Sequence, residues 1–268
     1  MTARIITITS GKGGVGKTTS TANLGVSLAL MGKRIVVMDG DIGLRNLDVI
    51  MGLENRIIYD VVDVAEGVCR LRQALVRDKK LSELYLLPAA QTRDKSSLSP
   101  NDVIQICSQL VETFDFILID SPAGIEQGFK NAIAPAEEVI VVVTPEVSSV
   151  RDADRVIGLL EERRGVTPKL LINRVNIGMI KRKEMLSTDD VVEILAIDLL
   201  GIIPEDQGII VSTNHGTPIA HDEKLRVSRA YHNIARRLLG EDVPFLALSD
   251  SGERAWGRLS RLFRTGDR

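Results

Sequence analysis

The chain has 268 residues, 44% hydrophobic and 26% charged, with a formal net charge of −2. That length suits one large α/β domain with an ordinary buried core, and the near-neutral charge argues against wholesale nucleic-acid binding. Two cysteines, Cys69 and Cys107, stand far apart without C-x-x-C spacing, and no run approaches 18 apolar residues, which argues against a disulfide framework and a spanning helix.

Met1 to Arg4 leads almost at once into the first expected strand, Arg4 to Thr9, so no signal or transit peptide is expected. Gly11-Lys12-Gly13-Gly14-Val15-Gly16-Lys17-Thr18 follows and fits G-x-x-x-x-G-K-[ST], with a helix expected from Lys17 to about Met31. Strand, glycine loop and helix together make a phosphate cradle: glycines let the backbone N–H groups curl around an anion, and the helix dipole adds positive charge. Lys17 would reach the β- and γ-phosphates and the Thr18 hydroxyl would ligate Mg²⁺. Lys12 is a second lysine, placed to project away from its own phosphates.

The next expected strand, Arg34 to Asp39, opens into Asp39-Gly40-Asp41-Ile42-Gly43-Leu44-Arg45-Asn46-Leu47-Asp48. A carboxylate at a strand end beside a phosphate cradle can hold Mg²⁺ through water or orient an attacking water; by itself the D-G-D stretch equally reads as a turn or a calcium-loop fragment. Further strands are expected at Leu84 to Pro88, Phe116 to Asp120, Val139 to Thr144, Lys169 to Asn173 and Leu199 to Ile203. They lack strict alternation, as strands buried on both faces do, so the fold class is α/β: a doubly wound, mostly parallel sheet with helices on both faces. Ser99-Pro100 and Ser187 mark helix starts. Phe116 to Asp120, continuing to Gly124, has the Walker B pattern, with Asp120 binding Mg²⁺ through water. Asn173 and the Pro204-Glu205-Asp206 turn fall at later strand ends, where an amide can both donate to and accept from a base. A helix is expected from Glu146 to Ile157 with serine at its cap; Lys181 to Lys183 reads as a loop, and His215, His221 and His232 have no ligand spacing.

The body is expected to occupy residues 1–245, followed by a linker at 246–252 and a basic amphipathic helix at 253–264. Trp256, Leu259, Leu262 and Phe263 form its apolar side, with Arg258 and Arg261 among the arginines on the others. Five arginines against Glu253 and Asp267 give the last sixteen residues a net +3, leaving −5 on the remainder. This asymmetry suits an anionic membrane surface.

The lysine-doubled loop Lys12 to Thr19, the Asp39 to Asp48 stretch, Asp120 to Gly124, Glu146 to Asp154, the Pro204 turn and the amphipathic end together resemble the MinD/ParA deviant Walker A ATPases, over nearly the whole chain. The resemblance implies a P-loop ATPase using ATP and Mg²⁺, with Gly11, Lys12, Gly13, Gly14, Val15, Gly16, Lys17, Thr18 and Thr19 around the phosphates. It also implies a homodimer formed with ATP, in which Lys12 reaches across to the partner's nucleotide, while Asp41 orients water and Asp39 fixes the loop or stands outside the metal's ligand shell. Asn173, Pro204, Glu205 and Asp206 look like the family's adenine pocket, so ATP is expected over GTP; no Asn-Lys-x-Asp signature is present. The region at 146–157 would lie near the dimer interface. The septum-site branch of the family further implies a MinC-like division inhibitor, a MinE-like stimulator of hydrolysis, and a cytoplasmic protein held peripherally on the inner face of the cell membrane or its plastid equivalent. Iron–sulfur relatives need cluster cysteines, and partition relatives lack such a tail. The alternatives are a ParA-like DNA-partition or flagellar-number ATPase, or a nucleotide-gated membrane scaffold whose hydrolysis is incidental.

Overall fold

Runs of Ile and Val without polar alternation are stable as strands only where both faces are covered, and Ile35–Asp39 and Phe116–Asp120 are buried at every position. The computed structural model describes residues 3–163 and 165–246. The expected membrane helix and nearly all of the linker lie outside the described residues. Among the described residues there are eight strands: β1 Arg4–Thr9, β2 Ile35–Asp39, β3 Val76–Arg77, β4 Leu84–Leu87, β5 Phe116–Asp120, β6 Glu138–Val143, β7 Thr167–Val175 and β8 Asp198–Pro204. They form one sheet in the order β3-β4-β2-β5-β1-β6-β7-β8, parallel except for the antiparallel edge pair β3–β4.

The helices are α1 Lys17–Leu30, α2 Leu47–Met51, α3 Val61–Ala65, α4 Leu71–Ala74, α5 Pro100–Leu110, α6 Gln127–Ile133, α7 Val147–Glu161, α8 Ile177–Lys181, α9 Thr188–Leu195, α10 Gly208–Asn214 and α11 Arg226–Leu238. Helices α1 and α11 cover one face and share a core with Ile6, Ile8, Leu171 and Ile203. On the other face, α7 and α9 pack over β6 and β7, and α3 and α5 over β2, β4 and β5. The chain leaves β1 in one direction to reach β2 and returns on its other side at β6, so the loop after β1 sits at the switch point where open α/β sheets bind ligands.

Three local expectations need correction. The edge strand β3 was not expected, because two residues carry no periodicity. Strand β7 continues two residues beyond Asn173 to Val175, so Asn173 lies within the strand rather than at its end. At the start of α7 the cap position belongs to Glu146, with no side-chain cap bond; Ser149 turns back to accept the Thr144 N–H at 3.1 Å.

Candidate nucleotide site

The loop between β1 and α1 is fixed from below and open above. Val15 is 2% exposed and roots it in the core. Gly14 and Gly16 take φ values of 75° and 99°, left-handed backbone that favours glycine. At Gly16 a Cβ would also run into the Asn173 carboxamide, and at Gly11 one would meet the Asp152 backbone. Lys17, at the first position of α1, is buried to 7% exposure, and its Nζ donates to Ser10 Oγ at 3.0 Å. Burial lowers its pKa, opposed by the charges of Asp120 and Asp41. Ser10 was not singled out from the sequence, since no motif marks the position before the loop.

Register places the acidic groups. Asp39 and Asp120 end neighbouring strands and are direct Cα partners, about 5 Å apart in a sheet. Both are buried. Asp39 Oδ1 accepts the Asp41 N–H at 3.0 Å and Oδ2 accepts that of Leu47 at 3.2 Å, so this side chain holds the 40–46 loop against the sheet. Burial pushes the Asp39 carboxyl up to about 6 despite those bonds. Asp120 goes up to about 8, through burial and then the Asp39 charge, with the Thr18 hydroxyl and Lys17 pulling the other way. Two facing carboxyls that resist ionisation beside a threonine hydroxyl form a site that a divalent cation would relieve, so the residues fit Mg²⁺. Among the described residues no set of three His, Cys, Asp or Glu could hold a metal. Further along the same loop, Arg45 takes φ 42° and pairs with the buried Asp48 at 2.9 Å.

Lys12 stands at the rim, where it was expected to point outward. Its Nζ lies 2.9 Å from both Glu146 Oε2 and Ser148 Oγ at the start of α7. The side chains of Lys12 and Glu146 are 37% and 53% exposed, so this ion pair is weak and opens cheaply. Lys12 also draws the Glu146 carboxyl below its usual range.

On the base side, Asn173 reaches back to the phosphate loop. Asn173 is 3% exposed; its Nδ2 donates to Val15 O at 2.7 Å and its Oδ1 accepts the Arg174 N–H at 2.9 Å. This carboxamide ties β7 to the phosphate loop, and the two bonds use one of its two N–H groups and one of the two lone pairs of its oxygen. The Pro204-Glu205-Asp206 turn does line a cavity of about 330 Å³ beside the ends of β7 and β8, together with Asn176, Ile177 and Arg226. Asn176 Nδ2 donates to Glu205 Oε2 at 2.7 Å, and Asp206 Oδ1 accepts the Gly208 N–H at 2.7 Å.

A phosphate loop at the switch point, a Walker B aspartate and a second lysine at the rim define a P-loop nucleoside triphosphatase of the deviant type. The family model described as CobQ/CobB/MinD/ParA nucleotide binding domain matches residues 6–219. The septum site-determining protein MinD of Bacillus subtilis is 54% identical over 260 residues, covering 96% of this chain and 97% of that one. Two solved structures are similar. The MinC:MinD cell division protein complex of Aquifex aeolicus is 49% identical with a TM-score of 0.82, over 90% of this chain and 98% of its own. The Pyrococcus horikoshii MinD complexed with Mg-ADP is 29% identical with a TM-score of 0.80, over 90% and 100%. The chain belongs to the MinD family of septum-site-determining ATPases of cell division.

Proposed function

We propose that the chain is an ATP-dependent dimerising switch that places the division site. One observation carries this reading: Lys12, at the mouth of the phosphate loop, is held only by an exposed pair with Glu146 and a bond to Ser148. A lysine on so weak a latch is free to exchange it for the triphosphate of a second subunit, where added positive charge stabilises the transition state as an arginine finger does.

The loop N–H groups bind the phosphates, Lys17 leaves Ser10 for the β- and γ-phosphates, and Asp41 orients the attacking water. Thr18 and Asp120 would hold Mg²⁺, Asp120 by way of water, with Asp39 fixing the loop; the ion would supply charge neutralisation. Pro204, Glu205 and Asp206 flank the adenine. The dimer recruits a MinC-like division inhibitor, a reading supported by the 49% identical Aquifex protein in its MinC:MinD complex. It binds an anionic membrane through the 253–264 segment, with Trp256, Leu259, Leu262 and Phe263 in the interface, and is released when a MinE-like partner stimulates hydrolysis.

Size-exclusion chromatography tests the switch. The protein should elute as a dimer with a non-hydrolysable ATP analogue and as a monomer with ADP. Lys12→Ala should bind both nucleotides yet stay monomeric. A native protein that remains monomeric at saturating analogue overturns the reading.

A further inference from the structure

The end of the sheet remote from the phosphate loop holds a cavity that the nucleotide reading leaves unused. Its volume is about 950 Å³, and small-molecule sites commonly span about 300 to 1,000 Å³. Arg34 just ahead of β2, Glu83 just ahead of β4 and Phe114 ahead of β5 all line it, so it lies at the N-terminal ends of these parallel strands. The floor is apolar: Leu71 and Leu110 are buried, with Val64 and Leu75 half-buried beside them. Tyr85 and Phe114 make an aromatic wall, their rings edge to face at 5.5 Å between centroids and 72° between planes.

Three exposed arginines, Arg34, Arg70 and Arg72, line the same cavity. Among the described residues none of the three guanidiniums has a hydrogen bond or an ion pair, although Glu83 and Glu112 line the cavity too. Their backbones are nevertheless fixed. The Arg34 N–H donates to the Asp115 carboxylate at 2.8 Å, and its carbonyl accepts the N–H groups of Asp115 and Phe116 at 2.8 and 3.2 Å. On the other side, the Arg70 N–H donates to Gln73 Oε1 at 2.9 Å, and Arg72 follows on α4. A guanidinium fork matches a carboxylate through two parallel N–H bonds, and aromatic rings favour a flat apolar body beside them. Charge limits the anion: three arginines less two glutamates leave +1, which one carboxylate balances and a polyphosphate exceeds. We propose that this cavity is a second ligand site, for a small organic acid that carries one anionic group on a flat apolar body. The three arginines receive the carboxylate, and the body lies along Tyr85 and Phe114. Because β2 alone runs five residues, or about 16 Å, between this end of the sheet and the phosphate loop, the acid and the nucleotide bind together.

Cys69 reports occupancy, since it lines the cavity and is half-buried. Cys107 is buried, with its thiol pushed up to about 12 by burial, and stays silent. Iodoacetamide labelling of the full chain, with Mg-ADP saturating the nucleotide site, should modify Cys69, and 2-naphthoate should slow that reaction with a saturable dependence on its concentration. Naphthalene-2-methanol, the same body without the charge, should need about 10-fold more for half-protection. Arg70→Ala and Arg72→Ala should each raise the half-protecting naphthoate concentration about 3- to 10-fold and leave that of the alcohol unchanged. Native near-ultraviolet circular dichroism and ADP affinity show that each variant is folded. Equal protection by acid and alcohol would leave an apolar groove without an acid site and overturns the proposal, as do arginine variants with unchanged half-protection. Absence of protection in the native protein overturns it as well; if Trp256→Ala is then protected, the occupant is the chain's own tail.

Discussion

Asp39 and Asp120 are adjacent on neighbouring strands and buried, so folding raises both carboxyls above the value near 3.8 at which the unfolded chain releases its protons. Their folded values of about 6 and about 8 are raised. Between roughly pH 4 and pH 8 the native state therefore binds more protons than the unfolded state, and stability falls as pH rises, by up to about 1.4 kcal/mol per pH unit for each proton retained. Without nucleotide or Mg²⁺, the thermal midpoint should drop from pH 6 to pH 8. Asp120→Asn should flatten that slope and melt higher than the native protein at pH 8; an unaltered slope would show that the acidic pair is not its source. The individual acids were legible in the sequence because each ends an apolar strand beside a phosphate loop. Their facing register was not, since pairing of β2 with β5 is set by the whole sheet order. Asn173 shows the same limit: its residue type suits base recognition, and only the packing of β7 under the loop gives it to Val15 O.

At the level of elements, the same distinction separates what patterns reveal from what packing decides. The seven longer strands were readable as apolar runs, whereas β3, two residues long, has no pattern to read. The helix α1 follows from the loop that starts it, yet its closeness to the sheet comes from Gly25, where an added Cβ would lie 2.7 Å from Val37 Cγ1 and 3.4 Å from Leu84 Cδ1. Glycine in a helix interior normally costs stability, and replacing it with alanine commonly gains about 0.4 to 1 kcal/mol. Here the contact reverses the sign, because extra volume in a close-packed core costs about 1 to 3 kcal/mol. Gly25→Ala should therefore lower urea unfolding stability with an unchanged m-value. In a double-mutant cycle with Val37→Ala, the removed methyls should absorb the new one and give a favourable coupling. A stabilised Gly25→Ala protein would mean that α1 can move off β2 without cost.

For the molecule as a whole, the packing of residues 243–245 bears on how nucleotide and membrane binding would be linked. Arg237 on α11 donates to the carbonyls of Val243 and Pro244 and, at 3.1 Å, to that of Leu200 near the start of β8. Its guanidinium also lies 4.2 Å from the Phe245 ring. Residues 243–245 thus lie beside the start of β8, at the opposite end of the strands from the phosphate loop. In the proposed cycle ATP then acts on membrane affinity by joining two tails rather than by uncovering one. A single short amphipathic segment binds an anionic surface weakly and reversibly, and two on one particle gain about 10² to 10⁴ in avidity through effective concentration. Co-sedimentation with anionic vesicles should accordingly be strong with a non-hydrolysable ATP analogue and weak with ADP. It should be weak in both states for Lys12→Ala, whose tail is intact. If Lys12→Ala binds vesicles as tightly as the native protein with the analogue while staying monomeric, valency is not the link. The tail would then have to be controlled from within one subunit.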